Sequence, residues 1–282
     1  MTKILRRKQI KFHADMAGDF MRFDGKTVVV TGGALGIGEA VCELLAARGA
    51  AVAILDWDEK AGNETCERIE QSGGKVIFER VNVADFEAVK SAVEKTRKIF
   101  GGVNSLVVSA GIQRYGTAVS TDEEQWNEVL DVNLKGAWNA ARAAIPHLRE
   151  AGGGTIVNVS SVQGLASQQN VLAYTISKHG LLGLTRSTAM DFAKENIRAN
   201  CVCPGTVDTP MLKWAASLDP NPQSVYDACN AMHPLGRIAA PKEIAEVVAF
   251  LAHENSSFVT GAIWTVDGGL LTQIGGVPQV EK

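Results

Sequence analysis

Seven short runs of apolar and β-branched residues punctuate the chain, at 27–31, 51–55, 76–78, 106–108, 155–159, 197–203 and 262–266. They are apolar on successive residues rather than alternate ones, the pattern of strands buried on both faces. Longer stretches with helical spacing separate them, at 39–48, 59–71, 86–100, 124–149 and 173–194. This alternation predicts parallel strands joined by crossover helices, a doubly wound α/β sheet of seven strands. No linker or internal repeat divides the chain, so one domain is expected over 23–274, preceded by an N-terminal extension (1–22) and followed by a tail (275–282). The stretch 206–234 breaks the rhythm, with Pro210, Pro220, Pro222 and Pro234 set around short helical pieces. An insertion of that length is more often functional than idle, and a substrate lid is expected there.

Charge narrows the partners. The net charge is −3, with no broad basic field of the kind nucleic acid attracts. A local basic run, Lys3, Arg6, Arg7, Lys8 and Lys11, reads either as a loose terminus or as a membrane or nucleic-acid tail. No apolar run approaches the roughly 20 residues of a membrane helix, and the start lacks the apolar core of a signal peptide, so a cytoplasmic, membrane-free protein is expected. Five cysteines, Cys42, Cys66, Cys201, Cys203 and Cys229, are odd in number and sit mostly in apolar segments, which favours reduced thiols. No histidine has a partner at metal-ligand spacing, so no metal is expected.

Candidate chemistry begins after the first strand, where Thr31-Gly-Gly-Ala-Leu-Gly-Ile-Gly38 leads into a helix. Glycines there let backbone approach a pyrophosphate, whose charge meets free N–H groups at the helix start. Gly32, Leu35, Gly36, Ile37 and Gly38 are the candidate contacts. The next strand ends in Asp56, 20 residues after Gly36, where a carboxylate can accept from ribose hydroxyls. No Arg or Lys follows until Lys60, so a ribose phosphate would meet repulsion, and NAD is expected over NADP. Further along, Ser161 and Tyr174 lie 13 residues apart, and Tyr174 and Lys178 four apart, on one face of a helix. An ammonium about 5 Å from a phenol stabilises the phenolate by roughly 3 kcal/mol at an effective dielectric near 20, which would bring Tyr174 toward working pH.

Thr-Gly-x-x-x-Gly-x-Gly, then Asn133 in Val-Asn-Leu-Lys, Ser161 and Tyr174-x-x-x-Lys178, resembles the short-chain dehydrogenase/reductase family, over nearly the whole chain. The resemblance implies a Rossmann-like fold, a homotetramer, and NAD-dependent interconversion of an alcohol and its carbonyl. It implies Tyr174 as general acid and base, Ser161 as hydrogen-bond partner of the reacting oxygen, Lys178 as holder of the nicotinamide ribose, and Asn133 as anchor of a relay water. It also places Pro204, Gly205, Val207 and Thr209 along the nicotinamide. Two departures stand out: Val108-Ser109-Ala110-Gly111 replaces the family's Asn-Asn-Ala-Gly, and Asn82, before Val83, replaces the adenine-side acid.

For the substrate, Gln113, Arg114, Gln163, Gln168, Gln169, Asn170 and Trp214 are candidates. The amide-rich loop suggests a sugar or polyol, or is ordinary solvated surface. A carrier-linked 3-oxoacyl reductase and a non-catalytic nucleotide-binding scaffold or redox sensor are the alternatives.

Overall fold

Val28 and Val30 point into one apolar layer and Val29 into the other, and all three are fully buried. That alternation within an uninterrupted apolar run belongs to a strand covered by helices on both sides. The structure is a computed structural model and describes residues 21–272. The basic run and the tail 275–282 lie outside the described residues. Met21, within the expected extension, is already packed in the core.

The strands are β1 (Thr27–Thr31), β2 (Ala51–Asp56), β3 (Lys75–Arg80), β4 (Ser105–Val108), β5 (Gly154–Val159), β6 (Ile197–Pro204) and β7 (Ile263–Val266). They form one parallel sheet in the order β3-β2-β1-β4-β5-β6-β7. The helices are α1 (Gly36–Ala47), α2 (Glu59–Gln71), α3 (Phe86–Phe100), α4 (Glu123–Leu130), α5 (Gly136–Glu150), α6 (Leu172–Phe192), α7 (Pro210–Ser217), α8 (Pro222–Met232) and α9 (Pro241–Ala252). Leu45 of α1, Ile69 of α2 and Ile244 of α9 fill one layer, and Val93 of α3, Leu148 of α5 and Leu181 of α6 fill the other. Strand order reverses between β1 and β4, and the crevice beyond their C-terminal ends is where such sheets bind ligands.

One expected element differs. The stretch 124–149 is not a uniform α-helix but α4 and α5 joined by a π-helical segment, Asp131–Lys135. Asn133 lies in it, fully buried, and its side chain is tied to a neighbouring loop, which holds the widened turn in place.

Candidate active site

The glycine loop is built by close approach. A Cβ on Gly32 would lie 2.5 Å from the Ala110 backbone, and one on Gly38 only 2.0 Å from the Gly32 carbonyl oxygen. Gly36, at φ +61°, abuts the Thr209 side chain. The absence of side chains thus brings the turns after β1, β4 and β6 together. Asp58, Asp85 and Asp122 cap α2, α3 and α4, whereas α1 begins at Leu35 with no side-chain cap. Its first turn is therefore left open to an anion, apart from the Gly36 N–H, which donates to Glu39 (3.1 Å).

A cavity of about 640 Å³ runs over this loop. At one end, Asp56 is held by the N–H groups of Ala34 and Asp58, each donating to a different carboxylate oxygen at 3.0 Å. Trp57, largely exposed, lines the same end, as do Asn82 and Val83. The Arg80 guanidinium sits 4.8 Å from the centre of the Trp57 ring and 3.6 Å from Glu59. A cation therefore stands near Asp56 after all, brought by the pairing of Asp56 with Arg80 across β2 and β3, but engaged with neighbours. Ser109 keeps the sheet paired through its backbone, its N–H donating to Thr31 (3.0 Å), and Ser109, Ala110 and Gly111 all line the cavity.

Tyr174 and Lys178 line the middle of the cavity, both buried. Ser161 stands close enough to the Tyr174 phenol to lower its pKa, and its Oγ accepts from the Gln163 N–H at 3.1 Å. Lys178 donates to the Val159 carbonyl at 3.0 Å, and its Nζ lies 5.4 Å from the centre of the Tyr174 ring. Burial pushes the phenol up to about 12, against the lowering effect of Ser161. The same burial pulls Lys178 down to about 8, opposed by the neighbouring Cys201 and Cys203. Burial thus resists the charged form of each group, a resistance that positive charge beside Tyr174 has to overcome.

Asn133 spends its amide on structure. It accepts from the Ile112 N–H (2.8 Å) and donates to the Ile112 carbonyl (2.9 Å) and to Ser177 Oγ (3.0 Å). With both N–H groups used, a water here would be held by the main chain of the π segment.

Another part of the wall mixes apolar and polar side chains. Ile112, Met211 and Trp214 line it, and Trp214 stacks on Tyr115 at 5.7 Å between ring centres. Gln113 and Arg114 line it too, the latter paired with Glu128 at 2.7 Å. Gln163 and Gln168 do not line the cavity: Gln163 donates to Gln168 (2.9 Å) and accepts from Thr175 (3.4 Å). Thr209 is in the wall and caps α7, while Pro204, Gly205 and Val207 lie behind it. The insertion 206–234 carries α7 and α8, and α7 supplies Met211 and Trp214.

The family model described as enoyl-(acyl carrier protein) reductase matches residues 32–271, most of the chain. The chain belongs to the short-chain dehydrogenase/reductase family. Among its relatives, cis-4-hydroxycyclohexanecarboxylate dehydrogenase of Sinomonas cyclohexanicum is 40% identical, covering 88% of this chain and 97% of its own. The 3-oxoacyl-[acyl-carrier-protein] reductase FabG of Thermotoga maritima is 38% identical, covering 89% and 100%. The solved aldohexose dehydrogenase of Thermoplasma acidophilum superposes with a TM-score of 0.83 at 36% identity, covering 93% and 99%. This short-chain dehydrogenase/reductase is thus an oxidoreductase acting between alcohol and carbonyl.

Several residues of this member were not singled out from its sequence. Trp57, Ile112, Glu128 and Met211 line the cavity, but as ordinary apolar or charged positions they carried no motif. Asn139, fully buried, donates to the carbonyls of Val83 (2.9 Å) and Ala84 (3.2 Å) and so fixes the turn bearing Asn82. A buried amide inside a helix was the only available signal.

Proposed function

We propose that this protein is an NAD-dependent dehydrogenase that interconverts a cyclic secondary alcohol and its ketone. The observation that carries this reading is one cavity lined by Asp56 and by the Tyr174 and Lys178 side chains. A nicotinamide dinucleotide fits the side-chain-free glycine turns, the uncapped start of α1 and the carboxylate of Asp56, and when bound it accepts or returns the hydride. Gly32, Leu35, Gly36, Ile37 and Gly38 would hold the pyrophosphate, and Asp56 the adenosine ribose. NAD is favoured over NADP because Asp56 repels a ribose phosphate and Arg80 is engaged with Trp57 and Glu59.

Tyr174 passes the proton at the reacting oxygen. Burial keeps its phenol protonated at neutral pH, the form that can give a proton to the oxygen of a ketone as it is reduced. For alcohol oxidation the phenolate must be drawn out by positive charge, from the ammonium of Lys178 and the oxidised nicotinamide together. Ser161 shares the substrate oxygen, Lys178 also holds the nicotinamide ribose, and the π segment at Asn133 offers backbone to a relay water.

A sugar or alicyclic ring is favoured over an open-chain polyol. The amides Gln163 and Gln168 are bound to neighbours, whereas Trp214, Met211 and Ile112 present an apolar wall on which a ring can lie. Reported names of relatives, an aldohexose dehydrogenase and a hydroxycyclohexanecarboxylate dehydrogenase, agree with a ring. The FabG likeness supports a second reading, reduction of a 3-oxoacyl chain. A homotetramer belongs to the proposal, with Trp138 of α5 and Met190 of α6 among the exposed apolar residues available to it.

The test is turnover of aldohexoses, cyclohexanols, linear polyols and 3-oxoacyl thioesters with each cofactor. Preference for ring alcohols with NAD supports the reading. Preference for NADPH-driven reduction of 3-oxoacyl thioesters replaces it with the second.

A further inference from the structure

The insertion 206–234 is pinned at its base by one side chain. The Thr206 N–H, at its first residue, donates to His233 Nε2 at 3.1 Å, next to its last. On the opposite edge of the ring, His233 Nδ1 donates to the Cys229 carbonyl at 2.7 Å. A carbonyl only accepts, so the proton lies on Nδ1 and Nε2 presents its lone pair to Thr206. The ring is buried, with 4% of its surface exposed, and is packed from below: a Cβ on Gly205 would stand 2.6 Å from Nε2 and one on Gly268 3.5 Å from Cδ2.

The consequences reach both halves of the cavity. Thr206 precedes Val207 and Thr209, and Thr209 touches Gly36 of the cofactor loop and caps α7, which carries Met211 and Trp214. The segment is braced on its other side by Ala239, whose N–H donates to Thr206 (2.9 Å) and whose carbonyl accepts from Asp208 (2.9 Å). His233 closes the remaining side. We propose that His233, as its neutral Nδ1–H tautomer, is a positioning residue that clasps the two ends of the lid and sets segment 204–209 against the cofactor. The clasp rests on the reading above only in taking that segment to border the nicotinamide.

Two variants separate clasp from packing. In His233→Asn the amide replaces the Nδ1 edge and keeps the bond to Cys229 but cannot reach Thr206. In His233→Gln the carbonyl reaches the Nε2 position and accepts from Thr206. Binding of NAD+ is followed by quenching of tryptophan fluorescence, since Trp57 and Trp214 line the cavity, and KM values for NAD+ and alcohol are measured alongside melting temperature. Losing one buried hydrogen bond predicts about a tenfold rise in Kd and KM for NAD+ in His233→Asn, and recovery to within about twofold in His233→Gln. Equal values in wild type and His233→Asn overturn the clasp. So does equal impairment of both variants in step with lost thermal stability, which marks simple packing. If wild-type protein binds neither NAD+ nor NADP+, the functional reading itself fails, and the clasp with it.

Discussion

Lys178 Nζ stands 5.4 Å from the centre of the Tyr174 ring and is fixed to the sheet by its 3.0 Å bond to the Val159 carbonyl. Both side chains rise from α6, four residues apart, and the Lys178 bond ties that helix to the end of β5. Both are buried, so each resists its charged form.

That burial predicts a pH dependence of stability. Lys178 falls from 10.5 to about 8 in the folded protein, so between those values the unfolded chain binds a proton that the folded chain has released. Stability from this group rises with pH across that window, and below pH 8 its burial cost is fully present. Tyr174 moves from 10.0 to about 12, so above pH 10 the folded chain keeps a proton the unfolded one has lost, and its contribution falls with pH. Denaturant unfolding from pH 7 to 11 should show Lys178→Met lacking the rising limb seen in wild type.

On the proposed reading, Asp56 sets cofactor choice. Replacing it by Ser removes the repulsion and frees room beside Arg80. The expected result is a fall of about tenfold or more in kcat/KM with NAD+, from the loss of charge-assisted hydrogen bonds, and a gain with NADP+. Steady-state kinetics with both cofactors check this, and an unchanged ratio would remove Asp56 from the ribose site.

Gly38→Ala sets a methyl 2.0 Å from the Gly32 carbonyl oxygen. Overpacking of this kind costs about 1–3 kcal/mol, so thermal stability and cofactor affinity should drop together. Gly102→Ala, where an added Cβ meets nothing within 4 Å, should leave both close to wild type. Calorimetry with and without NAD+ reads both effects.

Trp214→Ala removes the ring that stacks on Tyr115. The KM for a ring alcohol should rise about tenfold while that for NAD+ stays within about twofold, because the indole is carried by α7 of the insertion and not by the glycine loop or the end of β2. Equal rises in both would place Trp214 in the cofactor site instead.

The sheet was legible in the chain because its central strands are buried on both faces: 27–31 matches β1 residue for residue. At the edge, β3 extends from the apolar 76–78 to Lys75 and Arg80, since an edge strand tolerates polar ends that hydropathy does not count. The candidate residues Asn133, Ser161, Tyr174 and Lys178 were legible as a spaced set in order. What depends on three-dimensional neighbours was not: the π turn at Asn133 rests on its bonds to Ile112, Arg80 reaches Asp56 only through strand register, and His233 meets Thr206 across 27 residues. The burial of Tyr174 and Lys178 was hidden for the same reason, because spacing gives their separation on a helix but not their exposure.

The most direct test of the central claim compares wild type with Tyr174→Phe, following reduced nicotinamide by absorbance with a ring alcohol and NAD+ at alkaline pH. The phenyl ring keeps the packing of Tyr174 and lacks only its hydroxyl. The account predicts turnover by wild type, a loss of at least about 10²-fold in the variant, and NAD+ binding retained by both. Comparable turnover in Tyr174→Phe would contradict it.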